Sequence, residues 1–422
     1  MVPNGWVAES LEKAGILVTD GDRGKEYPKS SEFMEQDHCL FLSAKNVTKN
    51  GFSFEEKQFI SEEKHLKLRK GQVHSGNIVL TTRGSVGQFA IFDDSVPFEC
   101  IRINSGMVTL DCSNSKLNNR YFYALCRSYI IDNQISSAAF GSAQPQLTVK
   151  IIKNLKLPVP PLPEQRKIAK ILSTWDKAIA TTEKLIETSK QQKKALMQQL
   201  LTGKKRLINP ETGKVFEGEW EEVKLDDLAI YRRGSFPQPY GNPEWVDKIN
   251  GYPFIQVFDI DKNMKLKSIT KTKISDAAIG KSVFIEAGTV IVSLQGSIGR
   301  VAITQYDAYV DRTVLLFQQF KRQMDTVYFA YAIQELFEIE KEKAPGGTIK
   351  TITKQVLSNF TIHVPIYTEQ QKIACLLTAA DKEIEILEAK VAHFKQEKKA
   401  LMQQLLTGKR RVKVNLDTEI AI

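Results

Sequence analysis

Few side chains in this chain stand at spacings that do covalent or metal chemistry. Its five cysteines (Cys39, Cys100, Cys112, Cys126, Cys375) form no Cys-x-x-Cys pair, so neither a disulfide framework nor a zinc site is suggested. The five histidines (His38, His65, His74, His363, His393) are scattered without ligand spacing. Gly280-Lys281-Ser282 lacks the leading glycine of a phosphate-cradling loop, Ser275 standing in its place. No glycine-rich nucleotide fingerprint follows a strand, and Pro160-Pro161-Leu162 has the wrong flanks for the Asn/Asp-Pro-Pro-Tyr/Phe run of amino-methyltransferases. What the chain does present is polar side chains on two glycine-punctuated turns. These are Thr82-Arg83-Gly84-Ser85-Val86-Gly87 and Leu294-Gln295-Gly296-Ser297-Ile298-Gly299, and their chemistry would be hydrogen-bonded recognition.

The elements that carry these turns occur twice. Val79-Leu80-Thr81 and Ile291-Val292-Ser293 are predicted strands leading into the Gly-x-x-Gly turns, with Gln88–Ile91 and Arg300–Ile303 as the strands that follow. Strand-like Leu40-Phe41-Leu42 and Phe254-Ile255-Gln256-Val257 precede them, and aromatic-rich helices are predicted over Asn119–Ile135 and Thr326–Lys343. Tyr121, Phe122, Tyr123, Phe329 and Tyr331 have the spacing of core residues on those helices, as opposed to base-stacking aromatics, and Trp6 and Trp220 open each half as packing residues. A glycine-containing loop (Gly141 to Leu147; Gly346 to Lys350) then leads into a strand that runs into proline.

A long helical block closes each half. Lys193 to Lys204 returns unchanged as Lys398 to Lys409, a shift of 205, and Glu164–Lys204 matches Glu369–Lys409 at 24 of 41 positions. In the first copy Ile168, Leu172, Trp175, Ile179, Ile186, Leu196 and Leu200 lie on one seam, and in the second Ile373, Leu377, Ile384, Leu387, Val391, Phe394, Leu401 and Leu405. The alternating steps of three and four are those of a coiled coil. Thr182, Ser189 and Lys193 weaken the first seam, which points to pairing between the two copies, antiparallel if the intervening domain brings the chain back; the alternative is an intermolecular coiled coil. Pro163 opens the first helix, Thr368 with Gln371 has the spacing of a capping box on the second, and Gly203 and Gly408 stand where left-handed caps belong. The fold class is therefore α+β: residues 1–163 and 207–368 as two tandem domains, 164–206 and 369–411 as the helices, and 412–422 as a tail.

Composition bounds the rest. The chain has 422 residues, enough for two or three cores, and 42% hydrophobic with 26% charged residues excludes a wholly disordered chain. No apolar run reaches the roughly 18–20 residues that span a bilayer, and the N-terminus lacks signal-peptide regions, so a reduced cytosolic protein is expected. The net charge of +10 is uneven: residues 1–163 carry +2 and 207–368 carry −1, whereas 164–206 carry +7 and 369–411 carry +3. The excess on the helices is expected to complement helix dipoles at Lys204-Lys205-Arg206 and Lys409-Arg410-Arg411, and to meet phosphates or acidic partner faces through Lys190, Lys193 and Lys194.

Two recognition-like domains, each followed by a long helix, resemble the specificity subunit of type I DNA restriction–modification systems. The Gly-Ser-Val/Ile-Gly turns, the loops before Leu147 and Ile352, and above all Val159-Pro160-Pro161-Leu162-Pro163-Glu164-Gln165-Arg166-Lys167-Ile168-Ala169 carry the resemblance over the whole chain. It implies two target-recognition domains in a pseudo-twofold arrangement, joined by helices that form an antiparallel coiled coil. It further implies a subunit without catalysis of its own that reads a bipartite site in double-stranded DNA and recruits two methyltransferase and further restriction/translocase subunits. S-adenosylmethionine, ATP and Mg would bind those partners, and none would bind this chain. The implied setting is the prokaryotic cytoplasm at the nucleoid, and the assembled complex would be an adenine-N6 methyltransferase and ATP-dependent endonuclease.

Under that resemblance the turns become candidate base readers, since arginine matches guanine edges and asparagine or glutamine matches adenine edges. The candidates are Lys45, Asn46, Thr82, Arg83, Ser85, Ser142, Gln144 and Gln146 in the first domain. In the second they are Arg232, Arg233, Gln256, Gln295, Ser297, Arg300, Thr348 and Lys350. Because Arg83 and Gln295 follow strands at matched positions, different half-sites are expected. The plainer alternative is that both turns are solvent-facing hairpins. Two other classes remain open: the recognition part of a self-contained methyltransferase or nuclease, and a structural coiled-coil protein that organises DNA.

Overall fold

The computed structural model describes residues 2–139, 146–343 and 354–414. It divides into two units, one of residues 1–182 with 390–422 and the other of residues 183–389, so the division falls inside both long helices.

In the first unit a four-stranded antiparallel sheet runs in the order Leu17–Asp20, Met107–Asp111, Ile78–Thr81, Phe89–Ile91. A second sheet, in the order Phe59–Ile60, Cys39–Leu42, Ile101–Ile103, Gln72–Val73, has a parallel central pair. The run Ile78-Val79-Leu80 is apolar throughout because both faces of its strand are covered. Ile78 and Leu80 pack with Tyr121 and Phe122 of the helical layer, while Val79 packs with Leu40, Leu42 and Ile101 of the second sheet. The second unit repeats the order with Ala229–Arg233, Val314–Phe320, Val290–Ser293 and Val301–Ile303, beside Thr272–Ile274, Tyr252–Ile255, Ala308–Val310 and Val283–Ile285. There Val290 and Val292 face Tyr328 and Phe329, and Ile291 faces Ile255 and Val310. Of the aromatics expected to be core, Tyr121, Phe122 and Phe329 are fully buried and Tyr331 nearly so, while Tyr123 is half-buried against the same core.

In both units a two-stranded antiparallel ribbon joins the opening of the domain to its close, Val7–Ser10 with Lys156–Val159 and Glu221–Lys224 with Thr361–Val364. The chain then enters the long helices, Leu162–Leu200 and Tyr367–Leu405. Thirty-nine residues at ~1.5 Å each give about 58 Å of helix. Every apolar seam residue named above is buried or half-buried. The helices pair within the chain, antiparallel inside each unit. In the first unit Trp175 meets Phe394 edge-on at 5.5 Å between centroids, and Lys398 pairs with Asp176. In the second, Lys193 pairs with Asp381 and Lys190 with Glu388, each at 2.6 Å. Lys193 and Lys190 are therefore engaged in holding the helices together.

Each helix start is clamped in the same way. Glu164 accepts from Arg411 Nε at 2.8 Å and from Trp6 Nε1 at 3.3 Å; Glu369 accepts from Arg206 Nε at 2.8 Å and from Trp220 Nε1 at 3.2 Å. The neighbouring glutamine ties the helix to its domain. Gln165 Nε2 donates to the Pro160 and Lys116 carbonyls and its Oε1 accepts from Asn118 N–H, while Gln370 Nε2 donates to Pro365 O and its Oε1 accepts from Asp325 N–H. Gly203 and Gly408 do adopt left-handed φ, +71° each, and Trp220 and Trp6 lie against them.

Two local expectations are corrected. The second long helix starts at Tyr367, with the Ile366 carbonyl accepting from Glu369 and Gln370 N–H, so Thr368 lies inside the helix and caps nothing. The stretch 119–135 is two helices, Asn119–Cys126 and Tyr129–Ala139, parted where Ser128 Oγ turns back to the Leu125 carbonyl at 2.6 Å.

Candidate nucleic-acid interface

The two Gly-x-x-Gly turns share one hydrogen-bonding scheme. A strand-ending hydroxyl, Thr81 Oγ1 or Ser293 Oγ, donates across the turn to the carbonyl of Ser85 or Ser297 and accepts from the N–H of Gln88 or Arg300. Gly87 N–H and Gly299 N–H close the loops onto the Thr81 and Ser293 carbonyls at 3.0 and 2.9 Å. Gly299 has φ +81°, and a Cβ there would lie 2.9 Å from Phe337 Cβ, so this turn requires glycine twice over. The result is a rigid support from which Arg83 and Ser85, or Gln295 and Ser297, stand exposed.

A second turn lies beside each of these. Thr82 N–H and Arg83 N–H donate to Gly106 O at 2.7 and 3.2 Å, and Leu294 N–H donates to Thr313 O at 2.8 Å. The adjacent turns, Asn104-Ser105-Gly106 and Asp311-Arg312-Thr313, are built alike: Asn104 Oδ1 accepts from Gly106 N–H and Asp311 Oδ1 from Thr313 N–H. Gly21 and Gly234 let the chain approach these turns, since a Cβ would fall 2.1 Å from Asn104 O or 2.2 Å from Val310 O. Sequence reasoning passed over Ser105 and Arg312. A short polar break between the apolar strands 308–310 and 314–317 was the signal available.

The structure gathers some predicted residues and sets others aside. In the first domain Gln146 is brought to Arg83; with its amide oxygen toward the guanidinium, it accepts from Nε at 3.2 Å and Nη2 at 2.9 Å. Lys45 is exposed but pairs with Glu56 at 2.8 Å. Asn46 is 1% exposed and bonds the Ser53 and Glu56 carbonyls and the Ser43 N–H, and Thr82 is 2% exposed. Asn46 and Thr82 therefore build the domain and present nothing to a ligand. In the second domain Arg232 and Arg233 end an exposed strand edge, and Arg300 is half-buried with Nη1 at 3.4 Å from Ile260 O. Gln256 has its amide committed, donating to Tyr240 Oη at 3.0 Å and accepting from Thr272 Oγ1 at 2.8 Å. Burial, then the bond to Asp311, pushes the Tyr240 phenol above its ordinary range, which keeps it a donor to Asp311 Oδ2 at 2.8 Å. Ser142, Gln144, Thr348 and Lys350 lie outside the described residues.

The histidines are less scattered than their spacing suggested. His38, His65 and Cys100 bring ligand-type atoms within 4.8 Å of one another. Arg102, 5% exposed, donates from Nε to His65 Nδ1 at 3.0 Å and from its other nitrogens to the Lys70, His65 and Leu68 carbonyls. A guanidinium holding that lone pair sets a positive charge where a metal ion would sit, so the group fits a buried arginine better than a cation.

The description of the matching family model, type I restriction modification DNA specificity domain, applies to this chain twice, over residues 18–191 and 217–395. The chain belongs to that family. It is 30% identical over 328 residues to the MjaVIII specificity subunit of a type I restriction enzyme from Methanocaldococcus jannaschii, covering 74% of this chain and 75% of that subunit. Among solved structures, a chain from work on complex assembly and conformational transition of a type I restriction–modification system matches with TM-score 0.61 at 19% identity, covering 97% of this chain and all of that one. The type I S subunit from M. genitalium matches with TM-score 0.56 at 14% identity, covering 96% and 98%. This type I specificity subunit thus carries two specificity domains, as its repeat implied, and the family is one of DNA-specificity components and not of catalysts. No helix among the described residues is long and apolar enough to cross a membrane.

Proposed function

We propose that the chain reads a bipartite, asymmetric site in double-stranded DNA, one domain per half-site, with the long helices setting the unread spacer. The observation that carries this is the pair of matched turns: one backbone scheme, repeated in both domains, displays Arg83 in one and Gln295 in the other. Identical support with different side chains suits two readers of different sequences, because base specificity resides in the side chains that meet base edges. The chain would recruit two methyltransferase subunits and restriction/translocase subunits, and those would bind S-adenosylmethionine, ATP and Mg. Its place would be the prokaryotic cytoplasm, on the nucleoid.

Methylome sequencing of a host that co-expresses this chain with its methyltransferase tests the reading. A split adenine-methylated motif with a fixed gap is expected; a continuous palindrome, or no methylation, overturns it. Native mass spectrometry of the complex should give one copy of this chain with two methyltransferases.

A further inference from the structure

We propose that Arg312 is the residue through which the second domain recognises a guanine in its half-site, a proposal that rests on the half-site reading above. Position is the first argument. Arg312 sits at the tip of the turn bonded to the Gln295 turn through Leu294 N–H and Thr313 O, as the Ser105 tip sits beside Arg83 in the first domain. Each domain therefore offers one arginine and one smaller polar residue on the same pair of adjacent turns, with the arginine exchanged from one turn to the other.

Preorganisation is the second argument. Asp311, fully buried, fixes the turn by accepting from Thr313 N–H at 2.9 Å, Thr313 Oγ1 at 2.7 Å and Tyr240 Oη at 2.8 Å. Gln256 holds the same Tyr240 hydroxyl, and the Arg312 guanidinium rests on the Tyr240 ring, Cζ 5.2 Å from the centroid. A stacked guanidinium is restrained in direction while its N–H groups stay unspent. This sets Arg312 apart from its neighbours. Arg232 lends Nε to the Arg233 carbonyl, Arg300 bonds Ile260 O, and Arg322 pairs with Glu221 at 2.8 Å. Arg312 is exposed and makes no ion pair among the described residues. A planar fork of free donors on a rigid turn matches the paired O6 and N7 acceptors of guanine.

The test is selection from a random duplex library by the full chain assembled with its methyltransferase, as wild type, Arg312→Ala and Arg312→Lys. Arg312→Ala is expected to lose the preference for guanine at one position in one half of the motif, with affinity for the wild-type site falling roughly 5- to 150-fold, and Arg312→Lys, which keeps donors without the planar fork, to weaken that preference less. The other half of the motif should stay unchanged, which also shows that the variants fold. An unchanged motif in Arg312→Ala overturns the proposal. So does a uniform loss of affinity on all sequences that Arg312→Lys restores, because that outcome marks a phosphate contact. If the wild-type complex itself selects no split motif, the half-site reading fails at its base, and this proposal falls with it.

Discussion

The amide oxygen of Gln146 accepts from both Nε and Nη2 of Arg83, at 3.2 and 2.9 Å, across sixty-three residues of sequence. The pair joins the Gly-x-x-Gly turn to the chain that leads into Leu147, whose N–H donates to Thr82 O at 3.1 Å. Arg83 is thus aimed by a neighbour as well as by its turn. Arg83→Ala should cost ~1–3 kcal/mol of binding and relax one position of the first half-site. Gln146→Ala should weaken binding less and leave the motif intact, because the guanidinium remains and only its orientation is lost. Electrophoretic mobility shifts on the selected site and on single-base variants separate the two outcomes.

Much of this architecture is legible in the sequence because it repeats. The shift of 205 marks both long helices, the Gly-x-x-Gly turns return at a shift of 212, and the seam is readable because helical periodicity is local. Partnerships across long separations are not readable in that way. Glu164-Gln165 stands out as a landmark, yet its roles depend on Trp6, Asn118 and Arg411, as remote as 247 residues. The cluster around His65 needs Cys100 and Arg102, more than thirty residues away. Asn46 has the composition of a base reader and the location of a core residue, and only the fold decides between them. The break at Ser128 carries neither glycine nor proline, so nothing in composition marks it.

The clamp at the second helix start makes a stability prediction. Glu369 is fully buried, and Arg206 meets it with two N–H groups at 2.8 and 2.7 Å. Arg206→Ala leaves a buried carboxylate without its cation and should lower stability by ~3–5 kcal/mol. Arg206→Ala with Glu369→Gln should recover part of that loss, since the stranded charge is gone. Arg411→Ala at the equivalent place should cost less, because the Arg411 side chain is 43% exposed and solvent screens its pair with Glu164. Urea unfolding of the three variants ranks them.

Between the helices of the second unit, Asp381 accepts from Lys193 Nζ at 2.6 Å and from Tyr331 Oη at 2.6 Å. Burial, then the bond to Asp381, raises the Tyr331 phenol well above its ordinary range, so it remains a donor at any working pH. Lys193→Glu would set two carboxylates against each other in a half-buried seam. It should lower the unfolding midpoint, and Asp381→Lys in the same chain should restore part of it. The same substitution at Lys204, exposed beyond the helix end, should shift the midpoint little. Thermal melts by circular dichroism at 222 nm provide the comparison.

His65 gives the first domain a pH dependence with a defined sign. Its imidazole is held below the ordinary value of 6.5, first by burial and then by the Arg102 charge whose Nε–H it accepts at 3.0 Å. His38, 5.4 Å away between ring centroids, adds to the same effect, and Glu62 opposes it. The folded state therefore favours neutral His65, while the unfolded chain takes up a proton at about pH 6.5. The unfolded state binds more protons in the interval below that value, so stability falls as pH drops through it and is fully present above it. Replacing His65 with Gln keeps an acceptor for Arg102 without the titration. The prediction is a steeper loss of folding stability from pH 7 to pH 5 in the wild type than in His65→Gln, read by urea unfolding at each pH. Equal slopes would show that the Arg102 contact does not govern the titration of His65.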